Sequence, residues 1–324
     1  MGCERKALIL MVVIWIMSFW TLSLADISST EIAVYWGQRE DGLLRDTCKT
    51  NNYKIVFISF LDKFGCEIRK PELELEGVCG PSVGNPCSFL ESQIKECQRM
   101  GVKVFLALGG PKGTYSACSA DYAKDLAEYL HTYFLSERRE GPLGKVALDG
   151  IHFDIQKPVD ELNWDNLLEE LYQIKDVYQS TFLLSAAPGC LSPDEYLDNA
   201  IQTRHFDYIF VRFYNDRSCQ YSTGNIQRIR NAWLSWTKSV YPRDKNLFLE
   251  LPASQATAPG GGYIPPSALI GQVLPYLPDL QTRYAGIALW NRQADKETGY
   301  STNIIRYLNA TAMPFTSNLL KYPS

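Results

Sequence analysis

Apolar residues in this chain gather in eight short runs, at positions 32–36, 55–61, 103–108, 150–156, 182–187, 208–214, 247–251 and 286–290. Several are rich in Val, Ile, Phe and Tyr, as strands are. Between most of them apolar residues recur three and four apart, as on one face of a helix. Tyr122, Leu126, Tyr129, Leu130 and Tyr133 predict a helix over 121–134, and Leu167, Leu168, Leu171, Ile174 and Val177 predict one over 164–178. Asn163 stands where it would cap the second, with Asn166 at the position where a capping box prefers Glu or Gln. Eight strand–helix repeats in about 300 residues predict the α/β class and a single (β/α)8 TIM barrel.

The run at 150–156 carries more than packing. As a strand it sets His152, Asp154 and Gln156 on one face and Ile151, Phe153 and Ile155 on the other. Apolar side chains belong toward the helices, so the polar three point inward. Gln156 is then nearest the carboxyl end, where barrel enzymes assemble their active sites. His152 is expected to pack in the core with a hydrogen bond to Asp154. Arg212 alternates with Tyr214 and should also point inward, where a guanidinium is costly without a carboxylate. Asp154 and Glu250 are the candidates; Glu250 is favoured, because the adjacent strand places it at matching height. Trp290, at a strand's end, reads either as a stacking face for a sugar or as a core tryptophan.

Charge and cysteines narrow the setting. Among 324 residues the formal net charge is −4, a mild acidity that argues against nucleic acid or an anionic membrane as partner. Arg5 and Lys6 precede an apolar run over 7–20 and the small-residue site Ser23-Leu24-Ala25, so residues 1–25 read as a signal peptide. The barrel then spans 26–308. The tail, 309–324, carries the sequon Asn309-Ala310-Thr311 and reads as a loose appendage, either a cleaved propeptide or a frayed surface end. Cys3 leaves with the leader; the other eight cysteines face an oxidising compartment, where about 105 pairings are open to them. Three histidines and the lack of any Cys-x-x-Cys pair give no metal site, and no cofactor motif is present. The long connection over 62–88 sets Gly77, Gly80, Pro81, Gly84 and Pro86 around Cys79 and Cys87, and reads as a disulfide-braced surface loop.

Residues 149–156 read Asp-x-x-His-x-Asp-x-Gln. They resemble the Asp-x-x-Asp-x-Asp-x-Glu strand of family 18 glycoside hydrolases. Further motifs are similar to those of hevamine-type plant class III chitinases: Ala33-Val34-Tyr35-Trp36-Gly37-Gln38, Leu108-Gly109-Gly110, Ala186-Ala187-Pro188, Phe213-Tyr214-Asn215 and Leu289-Trp290. The resemblance runs from about Glu31 to Leu308. It puts the family's catalytic acid on Gln156, its assisting aspartate on Asp154 and its N-acetyl-orienting tyrosine on Tyr214. The tryptophan floor falls on Trp290 and a cleft-lining aromatic on Tyr35. It also implies the pairs Cys48 with Cys97, Cys79 with Cys87, and Cys190 with Cys219, and leaves Cys66 and Cys118 either free or joined.

A carboxylic acid can be tuned to hold a donatable proton near neutrality, whereas a primary amide has none to give. The resemblance with this change implies a chitinase-shaped protein that does not cleave chitin. Its cleft would recognise chito-oligosaccharide through Tyr35, Asp154, Gln156, Tyr214 and Trp290, with His152 in place of a deeper aspartate. The alternatives are a seed storage protein with a relic cleft and an inhibitor of xylanase-type glycosidases. The implied location is the secretory pathway, ending in a seed storage vacuole or outside the cell. Pro111, Lys112, Gly189 and Arg212 also depart from the enzymes' pattern, and Pro111 with Lys112 is expected to narrow the cleft beside Gly110.

Overall fold

Each of the eight apolar runs becomes a strand, and the eight strands close on themselves. The computed structural model describes residues 30–68, 70–157, 163–239, 247–277 and 284–311. The expected leader, and the tail beyond Thr311, lie outside these. In chain order the strands are β1 (Glu31–Trp36), β2 (Ile55–Phe64), β3 (Glu72–Leu73), β4 (Lys103–Gly109), β5 (Thr114–Tyr115), β6 (Gly150–Asp154), β7 (Leu183–Ala186), β8 (Tyr208–Arg212), β9 (Leu247–Pro252) and β10 (Tyr284–Trp290). Parallel pairing runs β1–β2–β4–β6–β7–β8–β9–β10 and returns from β10 to β1. This is a closed (β/α)8 barrel. The short β3 and β5 both pair with the far end of β2 and build up one side of the mouth.

Helices cover the outside. They include α1 (Leu44–Lys49), α2 (Leu90–Arg99), α3 (Ala120–Tyr133), α4 (Trp164–Val177), α5 (Asp198–Gln202), α6 (Gln227–Ser239), α7 (Arg292–Thr298) and α8 (Tyr300–Thr311). The start of α3 is fixed by Ser119, whose hydroxyl accepts from the Tyr122 amide at 3.1 Å. Asn163 precedes α4 as expected, but its side chain makes no capping bond. It donates instead to the Ala117 carbonyl at 2.7 Å, tying α4 to the loop before α3. The last helix continues past Leu308 to Thr311, so the backbone of the sequon is helical.

Between strands and helices lies one apolar layer, built from the outward residues of every barrel strand. A second fills the lower barrel: Phe57, Phe105, Phe210 and Phe248, with Ala33, Ile55 and Ala107 between them. Phe210 stacks on Phe248 at 4.3 Å between centroids, and its ring meets Phe57 edge-on at 5.0 Å. Full burial of such a ring is worth about 1.5–3 kcal/mol. Room for it comes partly from Gly150 at the start of β6, where a Cβ would lie 2.4 Å from the Leu183 carbonyl and 2.7 Å from the Phe105 ring.

Four disulfides are formed: Cys48–Cys97, Cys66–Cys118, Cys79–Cys87 and Cys190–Cys219. Cys66 and Cys118, whose state the sequence left open, are joined. Their bond ties the turn after β2 to the loop before α3. Cys79–Cys87 closes the loop after β3.

Candidate functional site at the barrel mouth

Above the phenylalanine layer the barrel interior turns polar. His152 and Asp154 come from β6, Ser185 from β7, Arg212 from β8 and Glu250 from β9, and His152, Asp154, Ser185 and Glu250 are buried. His152 lies flat on Phe57 with centroids 4.0 Å apart, so it belongs to both layers. The expected bond from His152 to Asp154 is not made. Its Nε2 is 2.8 Å from the Tyr35 hydroxyl and its Nδ1 2.8 Å from Ser185 Oγ. The two residues alternate along one strand, so His152 sits a level lower and meets the groups at its own height. Burial, reinforced by the Arg212 cation, holds its pKa well below the usual 6.5, so the ring is neutral at neutral pH.

Arg212 points inward, but its partner is Asp154 rather than the favoured Glu250. Its Nη1 donates to Asp154 Oδ1 at 2.7 Å and to the Ala187 carbonyl at 3.0 Å. The register does set Arg212 opposite Glu250. Both Glu250 oxygens are already taken, however, by Tyr35 at 2.9 Å and Tyr214 at 2.8 Å. The chain leaving β7 carries only Ala187, Pro188 and Gly189 at this height, which lets the guanidinium cross to β6. Burial works against its charge, but Asp154 and Glu250 more than compensate and raise its pKa further.

The cluster holds two buried carboxyls to one guanidinium. Burial pushes both carboxyls above their usual range; Asp154 adds to the effect on Glu250, while Arg212 pulls both down. A proton kept on Glu250 leaves the three groups neutral together.

Gln156 lies two residues beyond the end of β6 and is half-buried. Its amide Nε2 donates to Asp154 Oδ1 at 2.8 Å, the same oxygen that Arg212 holds. The other carboxylate oxygen, Oδ2, is buried with no partner among the described residues. Gln156 is positioned by a residue the sequence did not single out. Tyr115 accepts from the backbone N–H of Gln156 at 3.1 Å and donates to the Gly110 carbonyl at 2.8 Å. Gly109 and Gly110, at φ of 96° and 80°, let β4 turn beneath it; a Cβ on Gly110 would stand 2.9 Å from Phe60. No spacing in the chain pointed to Tyr115, because its two-residue strand has no periodicity to read. The sequence does single out Glu250, the lone charge in an otherwise apolar strand, but as the partner of Arg212 rather than of Tyr35 and Tyr214.

The aromatic residues occupy two depths. Trp290 is half-buried, edge-on to Tyr35 at 5.1 Å and tilted over Phe60 at 5.9 Å. Tyr214 is 8% exposed, while Tyr35 is wholly buried. Tyr35 therefore does not line the cleft as expected; it supports the floor from below, through Glu250 and His152. Pro111 and Lys112 are exposed, and Lys112 reaches Glu76 at 3.2 Å.

The inward polar residues His152, Asp154 and Gln156, on and just beyond β6, stand at the carboxyl end of a closed barrel, and the comparisons place that barrel in a family. Residues 31–255 match the model of the glycosyl hydrolases family 18. The chain belongs to that family. An acidic endochitinase of Cicer arietinum is 46% identical over 275 residues, 84% of this chain and 90% of its own. Two solved family structures carry other descriptions. A xylanase and α-amylase inhibitor protein from Scadoxus multiflorus is 37% identical, with TM-score 0.77 over 86% of this chain and 98% of its own. A tamarind chitinase-like lectin is 33% identical, with TM-score 0.73 over 85% of this chain and 99% of its own. This family 18 barrel is thus similar to proteins described as endochitinases, as an inhibitor and as a lectin.

Proposed function

We propose that this family 18 protein binds N-acetylglucosamine-type oligosaccharides without hydrolysing them. One observation carries the reading: at the mouth of β6, where the resemblance puts the acid of the enzymes, stands the amide of Gln156, donating to Asp154. General acid catalysis needs a group that releases a proton in the transition state. This amide is a donor only in the hydrogen-bonding sense. The cleft retains what recognition of a sugar requires: the half-buried face of Trp290, the Tyr214 edge and the Gln156 amide, over a floor held by Tyr35 and Asp154. The lectin described from tamarind supports this direction. The leader read over 1–25 and the paired cysteines favour delivery through the secretory pathway, to a vacuole or the cell exterior.

Passage over a chitin column tests the proposal. Retention, with release by N-acetylglucosamine oligomers and no soluble product, is the expected result. Free passage, or release of shortened oligomers, would overturn it. A second reading, inhibition of a secreted glycosidase, is favoured by the likeness to the Scadoxus protein. Titration against xylanase and α-amylase separates the two, because an inhibitor need not be retained on chitin.

A further inference from the structure

We propose that Arg212 is a second determinant, separate from Gln156, that holds this cleft in a binding rather than a hydrolytic state by acting through Asp154. The inference rests on the reading of the cleft as a carbohydrate site and goes beyond it by naming what else would have to change. Arg212 is a positioning residue in this account: it fixes the orientation and the effective charge of Asp154.

Arg212 reaches over the Ala187 carbonyl and lands on Asp154 Oδ1, the oxygen that the Gln156 amide also holds. Arg212, Asp154 and Gln156 are thereby joined at one atom. The side chain of Arg212 is 13% exposed and that of Asp154 1%, so little water screens the pair. The other charged or titratable groups facing Arg212 are Glu250, His152, Tyr35, Tyr214, Tyr115 and Tyr196. Glu250 is held by the two tyrosines, and His152 by Tyr35 and Ser185. None of them replaces Asp154 as the partner of the guanidinium.

Glycoside hydrolysis makes two electrostatic demands. In the family's enzymes a carboxylic acid gives its proton to the leaving oxygen as the carbon–oxygen bond breaks and the substrate's N-acetyl oxygen closes on the anomeric carbon, so positive charge develops on the sugar. Water then adds its hydroxyl to the anomeric carbon and returns a proton to the carboxylate, so the acid is regenerated. A carboxylate standing alone beside the acid would serve both demands: it raises the acid's pKa and stabilises the cationic sugar. Here Arg212 neutralises that carboxylate. Restoring a carboxyl at position 156 leaves the guanidinium in place, favouring the ionised form of the new group and opposing positive charge above it.

The test compares the unaltered protein with Gln156→Glu, Arg212→Gln and the double variant. Product formation from a soluble chito-oligosaccharide is followed across the acidic and neutral range, and thermal unfolding confirms the fold of each. The expected result is no turnover from Arg212→Gln and only trace turnover from Gln156→Glu. The double variant should gain at least about 10²-fold over Gln156→Glu, with a bell-shaped pH profile. Gln156→Glu with Arg212→Lys should stay with the single variant, because the cation remains. Arg212→Met takes the place of Arg212→Gln if the latter does not fold. Equal turnover from Gln156→Glu and the double variant, or none from a folded double variant, would refute the role of Arg212. Calorimetric titration of the unaltered protein with the same oligosaccharide reports separately on binding. Failure there sinks the carbohydrate reading whatever the variants do.

Discussion

The lower and upper halves of the barrel interior are filled on different principles. Below, Phe57, Phe105, Phe210 and Phe248 fill space by shape, and any residue of similar volume and polarity would find some accommodation. Above, Asp154, Arg212, Glu250, Tyr35, Tyr214 and His152 fill it by pairing, and almost every polar atom has a named partner. The lower half contributes stability in proportion to area. The upper half contributes little net stability, since desolvation offsets the attraction of a buried pair, but it fixes one arrangement of groups at the mouth. A barrel can therefore keep its fold while the chemistry of its upper layer changes.

The comparison breaks most severely in the lower layer. Phe210→Ala should cost about 3–5 kcal/mol, and Phe248→Ala a similar amount. Denaturant unfolding of the two singles and the double would show no mutual rescue, only accumulated loss. The upper layer should behave otherwise. Asp154→Leu leaves a buried guanidinium unpaired and should cost about 3–5 kcal/mol, yet adding Arg212→Met should recover most of that loss. If the double variant were as unstable as the single, the upper layer would be packing by shape after all.

Titration sharpens the contrast at smaller scale. Glu250 is held above its ordinary pKa of 4.5, so as pH rises from there the unfolded chain ionises first and stability falls toward neutrality. His152 acts in the opposite sense. Held below 6.5, it withdraws stability as pH falls beneath that value, when the unfolded chain takes up a proton the folded one refuses. Glu250→Gln should remove the loss on the neutral side and keep the loss on the acid side, read from unfolding temperatures across pH. At the low end of the scale, Lys112→Ala removes an ion pair whose side chains are 78% and 61% exposed. It should change stability by less than about 1 kcal/mol in chemical denaturation, an effect that added salt diminishes.

What the sequence disclosed follows the same division. The eight strands were legible because β-branched and aromatic runs bounded by turns have few other uses, and because inward polar residues on 150–156 broke the outward apolar rule. The partners inside the polar layer were not legible. Alternation gives the face and the height of a side chain; it does not say which of several groups at that height is already engaged. Arg212 was matched to Glu250 by register, and the two tyrosine hydroxyls that occupy Glu250 come from β1 and from beyond β8, where no local pattern connects them. The burial of Tyr35 escaped for a related reason: an inward position on a barrel strand is either floor or support, and only the closure of Trp290 and Phe60 above decides. Tyr115 and the Cys66–Cys118 bond belong to the built-up side of the mouth, where two-residue strands leave no periodic trace.

That built-up side has a consequence for how the chain would be degraded. The stretch from Pro81 to Pro86 is the most continuously exposed backbone of the long loop, and an exposed tip of this kind is where a protease cuts first. The cut would fall inside the Cys79–Cys87 ring, and that ring lies inside the span of Cys66–Cys118. Cys48–Cys97 spans the cut as well, so three separate bonds hold the new ends together, and the nicked chain loses no residue. Such a protein would migrate as one species in the absence of thiol and separate into two fragments only after reduction.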